Sequence, residues 1–475
     1  MADVDRRGFL RVAGLAGAGA AISKCTTSPA PPSGSSVPSG PPDWTALRAK
    51  LSGRLLLPGD NGFTYQGFNP VWDVRKPAAV ARCASASDVQ ACVSAARSRV
   101  PVAARGGGHS YAGYSSPENG LQIDLRGLAG VEALPGDQVR IGAGALLGEV
   151  AEVLAQSGRC LPTGTCPSVG VAGLTLGGGI GVLARKYGLT CDHLVSATVV
   201  TADGRQLTTS AQEEPDLFWA LRGGGGGNFG IVTSFVFATL PAPDVTVFSL
   251  QYPAGAAADV LGAWQGWIAQ APRELWSNVV LRGGPQPTCR VGGCLIGSAG
   301  AAADLLAALP AAPERFVQPR SYPEATRYFA GAPVDRESFV ASSRIVSTPI
   351  ADPGWAANLM AGQSDESYLI FDSLGGAVSD VAPDATAFPH RTALACAQLY
   401  FKTPPDAAGE AAKAMGQARD GLGALVGDTG YVNYLDPQLP NWAEAYYGGN
   451  LARLREVAAK YDPDRVFAFA QSVSR

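Results

Sequence analysis

Histidine and methionine are scarce in this 475-residue chain, which has three of each. Neither sign of charge dominates, because 37 Lys and Arg stand against 40 Asp and Glu and leave a net charge of −3. This balance provides neither the basic surface that nucleic acid requires nor a polybasic membrane patch. No cysteine–histidine cluster has zinc spacing, and no P-loop motif occurs, so we expect neither a metal nor a P-loop nucleotide site.

The first 42 residues are expected to lie outside the folded part. Arg6 and Arg7 precede an Ala/Gly-rich apolar run that resembles a twin-arginine export signal and is too short to span a bilayer securely. Cys25 follows this run, where a lipoprotein cysteine could lie, although Lys24 is unfavourable before such a cysteine. The Pro/Ser/Gly-rich segment 28–42 predicts a flexible tether. We therefore expect export by the twin-arginine route to the periplasm, the medium or the cell surface.

Nine cysteines in an exported chain raise the question of disulfides. Cys289 and Cys294 bracket the sequence RVGG, and this spacing predicts a bridge across a hairpin. With Cys25 set aside, eight cysteines remain, so a further task for any one of them leaves an odd number to pair.

Alternating β-branched and Ala-rich stretches predict an α+β protein of several domains. Residues 43–243 carry short strands and helices, including a helix from Asp88 to Arg97 with Ser87 as its N-cap. Residues 244–427 carry strands separated by Ala-rich helices at 255–271, 301–309 and 406–425, which predicts a second α+β domain. The boundary is expected at the Pro-Ala-Pro of 241–243.

Glycine is abundant, with 59 residues, and it clusters in four segments of the first domain. These are 106–108, Gly142 with Gly144, 170–181, and 223–230. Glycine accepts positive φ and lets backbone N–H groups approach an anion without a Cβ in the way. Four such segments in one domain predict a long phosphorylated cofactor that crosses several loops. The segment 142–148 is close to a dinucleotide fingerprint but has one residue too many.

Four long motifs carry a family resemblance. They are RGGGHSYAGYSS (105–116), PTGTCPSVGVAGLTLGGGIGVLARKYG (162–188), LFWALRGGGGGNFGIVTSF (217–235) and YVNYLDPQLPNW (431–442). Together they resemble the berberine bridge enzyme-like group of FAD-linked oxidases, which has the vanillyl-alcohol oxidase (PCMH-type) FAD-binding fold. The resemblance covers nearly all of the chain after residue 43 and is weakest across 245–385. It implies an FAD-binding domain of two subdomains, a substrate domain with an antiparallel sheet covered by helices, and a segment 428–475 that returns to the first domain.

The resemblance implies FAD bound through two covalent bonds. In relatives the histidine of GGGHS bonds to the flavin 8α-methyl carbon and the cysteine of GTCPSVG bonds to flavin C6, so His109 and Cys166 are the expected anchors. The other residues expected to contact the cofactor are Arg105, Gly106, Gly107, Gly108, Ser110, Gly164, Val169, Gly170, Gly173, Gly177, Gly178, Gly179, Gly181, Gly230, Ile231, Val232, Asn433 and Asn450.

The resemblance also suggests catalytic residues. A base must take the proton of the substrate hydroxyl as hydride leaves carbon, and Tyr434 is the first candidate and Tyr431 the second. Gln398 matches a strand position that points at substrate in relatives, and Val169 stands where valine accompanies oxidases. The chain departs from relatives at Ile180, where many have tyrosine, and at Cys396, where some plant relatives have lysine, and both departures leave the base assignment open.

The predicted function is that of an FAD-dependent oxidase that converts an alcohol, favoured as a mono- or oligosaccharide at its anomeric carbon, and reduces O₂ to H₂O₂. A secondary-metabolite alcohol or amine is the alternative substrate. A non-catalytic flavoprotein or carbohydrate-binding relative is a different class, and so is a serine hydrolase. The hydrolase would use Ser110 in a nucleophile elbow, but Ala112 replaces the last glycine of that motif. No oligomeric state is predicted.

Overall fold

The structure is a computed structural model that describes residues 40–474. The predicted export signal, Cys25 and nearly all of the tether lie outside the described residues. Within residues 40–474, no helix has the length and apolar character that a membrane crossing requires.

A four-stranded sheet of order β1-β2-β4-β3 begins the described chain. Its elements are α1 (Trp44–Lys50), β1 (Arg54–Leu56), β2 (Ala79–Arg82), α2 (Ala86–Ala96), β3 (Val102–Arg105) and β4 (Leu121–Asp124). Strands β2 and β3 both run parallel to β4, and α2 crosses between them. Since β3 ends at Arg105, the three glycines that follow leave the sheet at the carboxyl edge of its strands.

A five-stranded antiparallel sheet of order β5-β6-β10-β8-β9 follows. A separate pair, β7 and β11, closes this part of the chain. The elements are β5 (Val131–Leu134), β6 (Gln138–Gly142), α3 (Leu147–Gln156), β7 (Arg159–Cys160), α4 (Val171–Leu176), α5 (Ala184–Tyr187), β8 (Leu194–Val200), β9 (Gln206–Ser210), α6 (Pro215–Ala220), β10 (Ile231–Ala238) and β11 (Leu240–Pro241). Two glycine segments lie beside this sheet, one around α4 and one before β10.

A seven-stranded antiparallel sheet of order β15-β12-β14-β13-β17-β18-β16 is built from residues 244–402. The elements are β12 (Asp244–Tyr252), α7 (Ala257–Gln270), β13 (Leu275–Arg282), β14 (Thr288–Leu295), α8 (Ala299–Leu306), β15 (Glu314–Ser321), α9 (Tyr322–Ala330), β16 (Phe339–Val346), α10 (Pro353–Asn358), β17 (Ser367–Ser373), β18 (Ala395–Lys402) and α11 (Ala408–Val426). Alternate strand residues such as Leu369 and Phe371 enter an apolar core with α7, α10 and α11. The intervening residues face the opposite side.

The carboxyl-terminal segment contains α12 (Trp442–Tyr447) and α13 (Leu451–Tyr461). Short 3₁₀ turns occur at Pro70–Trp72, Thr190–His193, Gly376–Asp380, Pro405–Ala407 and Gly448–Asn450. Tyr431, Tyr447 and Leu454 share one buried core with Phe229 and Phe235 of the five-stranded sheet region. The segment therefore returns to the first half of the chain, and the fold is the predicted α+β arrangement.

Two local predictions are wrong. The helix α2 begins at Ala86 and its N-cap is Ser85, whose side chain accepts a hydrogen bond from the Asp88 N–H. Ser87 therefore lies in the first turn. Cys289 and Cys294 do not bridge a hairpin, because both lie on the single strand β14 five positions apart, and adjacent faces alternate along a strand. Both are free thiols, as are the other six cysteines of the described residues.

Candidate active site

A cavity of about 900 Å³ lies between the glycine loops and the seven-stranded sheet. On one side its wall is backbone from the loops after β3, before α4 and before β10. A Cβ added to Gly107 would lie 2.3 Å from the Gly170 nitrogen, and one added to Gly170 would lie 2.3 Å from the Gly107 nitrogen. Two loops therefore touch backbone to backbone, which only glycine permits at this distance.

His109 and Cys166 meet at one hydroxyl on this wall. The Ser168 Oγ lies 3.0 Å from His109 Nε2 and 3.5 Å from Cys166 Sγ. The imidazole stacks on Phe68 with ring centroids 4.0 Å apart. Burial lowers the pKa of His109 to about 4, so its ring is neutral at neutral pH. The Cys166 thiol is exposed, and both side chains line the cavity.

Aromatic and amide side chains form the opposite wall. Gln398 Nε2 on β18 donates to the Tyr111 hydroxyl at 2.6 Å. The Tyr111 ring stacks on Tyr434 with centroids 5.4 Å apart and planes 12° apart. All three residues line the cavity, which joins the loop after β3, the strand β18 and the carboxyl-terminal segment in one site.

The two candidate base tyrosines have different surroundings. Tyr434 lines the cavity, whereas Tyr431 is buried behind it with 2% of its surface exposed. The Tyr431 hydroxyl accepts hydrogen bonds from the Gly179 N–H and from Asn433 Nδ2, each at 2.9 Å. Burial raises the pKa of both phenols, so both carry their protons at neutral pH. Only the Tyr434 ring is placed to meet a molecule in the cavity.

A carboxylate acts on Tyr434 from the sheet. Asp372 on β17 accepts a hydrogen bond from Asn278 Nδ2 at 3.3 Å. Burial raises the pKa of the Asp372 carboxyl to about 6, although Asn278 and Arg290 both act to lower it. The charge of Asp372 in turn raises the pKa of Tyr434. Asp372 does not itself line the cavity, and its link to Tyr434 is this electrostatic effect on the phenol.

The sequence-predicted residues fall into two layers. Those on the cavity wall are Gly106, Gly107, Gly108, His109, Ser110, Cys166, Val169, Gly170, Gly173, Gly230, Ile231, Val232, Gln398, Asn433 and Tyr434. Those behind the wall are Arg105, Gly164, Gly177, Gly178, Gly179, Gly181, Tyr431 and Asn450.

The residues behind the wall mostly hold other parts of the protein. Arg105 pairs with Asp124 at 3.1 Å and donates to the Gln66 carbonyl. A Cβ at Gly177 would lie 2.0 Å from Asn433 Oδ1, so this glycine makes room for that side chain. The Asn450 amide donates to the Pro383 and Thr386 carbonyl oxygens, which places it away from the cavity.

Sequence reasoning did not find Ser168, Tyr111, Asp372 or Asn278. Ser168 and Tyr111 stand two residues from Cys166 and His109, so proximity to those motifs was a usable signal. Asp372 and Asn278 are 94 residues apart and meet only through the pairing of β13 with β17, which no local pattern reveals.

Two family models match parts of the chain that contribute residues to the cavity. Residues 77–210 match the family model described as "FAD binding domain", and residues 430–474 match the one described as "Berberine and berberine like". An uncharacterized FAD-linked oxidoreductase of Bacillus subtilis, YgaK, is 35% identical over 445 residues, covering 90% of this chain and 98% of that protein. The chain belongs to the berberine bridge enzyme-like family of FAD-linked oxidoreductases.

Other members of the berberine bridge enzyme-like family are named for their substrates. A chitooligosaccharide oxidase of Gibberella zeae is 32% identical over 84% of this chain and 87% of that protein. A solved structure of chitooligosaccharide oxidase has a TM-score of 0.83 and 30% identity, covering 90% of this chain and 98% of that one. A xylooligosaccharide oxidase from Myceliophthora thermophila, solved with xylobiose, has a TM-score of 0.80 and 29% identity over 90% of this chain and 98% of that one.

The cavity fits FAD, the cofactor of this family. Its glycine wall offers backbone without Cβ atoms along three loops, which suits a long phosphorylated molecule. The neutral His109 ring and the exposed Cys166 thiol are nucleophiles on that same wall. Among residues 40–474 no cluster of His, Cys, Asp and Glu has the arrangement of a metal site.

Proposed function

We propose that this protein is an FAD-dependent oxidase that converts an alcohol, a mono- or oligosaccharide at its anomeric carbon, and releases H₂O₂. The observation that carries the proposal is the opposition of two walls in one cavity. Nucleophilic residues and glycine backbone face a polar wall with a phenol and an amide, Tyr434 and Gln398. When bound, FAD accepts the hydride of the substrate and passes two electrons to O₂.

We further propose that His109 and Cys166 both hold the cofactor covalently. The contact of each side chain with Ser168 Oγ supports this, because it brings both nucleophiles to one place on the cavity wall. The low pKa of His109 leaves its ring unprotonated, as a nucleophile must be. Two bonds would retain the flavin without deep burial and leave room for a large substrate.

We assign to Tyr434 the role of accepting the proton of the substrate hydroxyl. A phenol that is neutral at neutral pH can accept this proton only as its own proton leaves. The Asp372 carboxyl, with a pKa of about 6, is the acceptor we propose for it. No direct hydrogen bond joins Tyr434 to Asp372, so the transfer requires a bridging water or a substrate hydroxyl.

Polar groups on the wall opposite the glycine loops favour a sugar over an apolar alcohol as substrate. Tyr400 donates to Glu337 Oε1 at 2.8 Å, and both residues line the cavity together with Gln398. Donors and acceptors at fixed positions suit a ligand with several hydroxyl groups. The chitooligosaccharide and xylooligosaccharide oxidases support the same substrate class.

The covalent anchor is tested by acid precipitation of the purified holoprotein. We expect the yellow colour to stay with the pellet in the wild type, in His109→Ala and in Cys166→Ala. The double variant is expected to release it to the supernatant. A yellow supernatant from the wild type would reject covalent attachment while leaving an FAD enzyme.

The substrate class is tested with a panel of mono- and oligosaccharides, secondary-metabolite alcohols and amines, with peroxide detection. Peroxide from a sugar supports the proposal. Peroxide only from the other compounds would move the function to the alternative substrate class, and flavin that no compound reduces would indicate a non-catalytic relative. The hydrolase alternative has little support, because the Ser110 hydroxyl accepts a hydrogen bond from the Tyr114 N–H and His109 contacts Ser168 instead.

We also propose export by the twin-arginine route, on the basis of Arg6, Arg7 and the apolar run after them. Expression of the full chain in a bacterium with a functional twin-arginine system should yield a shortened protein outside the cytoplasm. Replacement of both arginines by lysine should retain the full-length protein inside. Lipid labelling of wild type against Cys25→Ala tests the anchor, and absence of label would leave a released protein.

A further inference from the structure

One row of four residues crosses the face of the seven-stranded sheet that carries the cavity-lining Gln398, and the row itself does not line the cavity. The strands β14, β13, β17 and β18 lie side by side, and their register places Gly292, Asn278, Asp372 and Cys396 opposite one another. Asn278 Nδ2 donates to Asp372 Oδ1 at 3.3 Å. The row therefore links the carboxylate that acts on Tyr434 to strands farther along the sheet.

Arg290 enters this row from β14. It precedes Gly292 by two positions, so both residues belong to the same face of the strand. A Cβ at position 292 would lie 2.2 Å from Arg290 Nη1 and 3.1 Å from Asn278 Oδ1. The guanidinium is therefore folded over Gly292 toward Asn278, in space that only glycine leaves open.

Asn278 stands between the two charges. Its strand β13 lies between β14, which carries Arg290, and β17, which carries Asp372. The Asn278 Oδ1 atom is buried and has no hydrogen-bond partner among the described residues. The side-chain amide thus presents its N–H to the carboxylate and leaves its oxygen on the side where the guanidinium lies, so its dipole is aligned with both charges.

We propose that Arg290 is a positioning residue that keeps Asp372 in its charged form, ready to take up the proton that leaves Tyr434. This inference rests on the proposed function, since it concerns the same proton. The substrate hydroxyl gives one proton to Tyr434, Tyr434 gives one to Asp372, and Asp372 returns one to solvent. The hydride leaves the substrate carbon separately, and Arg290 keeps its charge throughout.

No other described group around Asp372 supplies a positive charge that would favour the ionised carboxylate. The titratable groups that interact electrostatically with the Asp372 carboxylate are Arg290, Tyr111, Cys396 and Tyr434. Burial raises the pKa of the two phenols and of the Cys396 thiol, so all three are neutral at neutral pH. Tyr328 is coupled to Arg290 rather than to Asp372. Arg290 is therefore the one cation among these described neighbours.

The test is the pH dependence of flavin reduction by a sugar found in the panel, measured without oxygen on the holoprotein. Arg290→Gln should move the acid limb of kcat/KM upward, by up to about one pH unit, because loss of an opposite charge raises a carboxyl pKa and an indirect partner acts less than a direct one. Gly292→Ala should shift it in the same direction, since the added Cβ displaces the guanidinium. Arg290→Lys should stay nearer to the wild type.

Arg282→Gln is the matched control. Arg282 lies on the neighbouring strand β13, is exposed and pairs with Asp365, so its loss should leave the pH profile unchanged. A wild-type acid limb in both Arg290→Gln and Gly292→Ala, with normal flavin content, would overturn the inference.

An infrared titration of the Asp372 carboxyl provides a readout without turnover. The band is assigned by its loss in Asp372→Asn, and Arg290→Gln should raise its midpoint while Arg282→Gln should not. If no compound reduces the flavin, the proposed function fails, yet this titration still decides whether Arg290 controls the charge of Asp372. An unshifted midpoint in Arg290→Gln would contradict the proposal whatever the activity.

Discussion

One wall of the cavity is built mainly from backbone and the other mainly from side chains. The wall from residues 106–108, 166–173 and 225–232 is mainly backbone, and its chemistry depends on the absence of side chains at glycines. The opposite wall, here called the sheet wall, is made of side chains from the seven-stranded sheet, the loop after β3 and the carboxyl-terminal segment, among them Gln398, Tyr111 and Tyr434. A substitution on the glycine wall moves backbone, whereas one on the sheet wall changes a single contact and leaves the strands in place. This difference suits a constant cofactor on one side and a variable substrate on the other.

The largest effect is expected from closing the glycine wall. Gly170→Val should yield protein without bound flavin, because its Cβ would meet the Gly107 nitrogen and force two loops apart. Gly130→Val is the control within the same domain, since a Cβ at that position has no atom within 4 Å. The flavin absorbance per protein measures the result, and a yellow Gly170→Val protein would show that the close approach of the loops is not required.

The sheet wall should affect turnover rather than cofactor content. Tyr434→Phe is expected to lower kcat by about 10²–10⁴-fold with flavin retained, the range for loss of a positioned proton-transfer group. Tyr431→Phe should act mainly on stability, by about 1–3 kcal/mol, because its hydroxyl satisfies the buried Gly179 N–H and Asn433 amide. Stopped-flow reduction and urea unfolding separate the two effects. Equal losses of kcat in both variants would contradict the assignment of the base.

The pH profile sharpens the comparison further. The carboxylate fraction of Asp372 increases with pH through its pKa of about 6, so kcat/KM should fall about tenfold per pH unit below that value and level off above it. Asp372→Asn should give a low and nearly flat profile. A wild-type profile with no inflection near pH 6 would remove Asp372 from the proton path.

The smallest effect is expected at Ser168. Loss of its hydroxyl in Ser168→Ala removes one contact to His109 and a weaker one to Cys166. These contacts contribute about 1 kcal/mol to holding the two anchors in position. Covalent attachment should therefore be about fivefold slower but still complete, as followed by flavin fluorescence on a denaturing gel. Unchanged attachment kinetics would show that the loop backbone alone positions the two anchors.

The same comparison explains what could be predicted from the sequence. Each segment of the glycine wall is a short continuous motif, so RGGGHS and GTCPSVG could be recognised in the sequence, and the structure brings His109 and Cys166 to a common hydroxyl. The α+β fold followed from the same motifs and from the alternation of strands and helices, and it is confirmed.

The polar row on the seven-stranded sheet could not be read in this way. Asp372, Asn278 and Arg290 come from three strands, and their association depends on the register of β13 with β14 and β17. The wrong disulfide has the same origin, since the RVGG between Cys289 and Cys294 is the middle of a strand and not a turn. The N-cap is Ser85 and not Ser87, because the helix begins at Ala86 and its third residue, Asp88, donates its N–H to the Ser85 side chain.

The central claim is that this cavity oxidises a sugar with a bound flavin. The most direct measurement is to mix the yellow holoprotein with chitooligosaccharides, xylooligosaccharides and glucose oligomers without oxygen and to follow the flavin absorbance. The account predicts bleaching by at least one sugar, recovery of the colour with release of H₂O₂ when oxygen is admitted, and much slower bleaching in Tyr434→Phe. A flavin that every sugar leaves oxidised would contradict it.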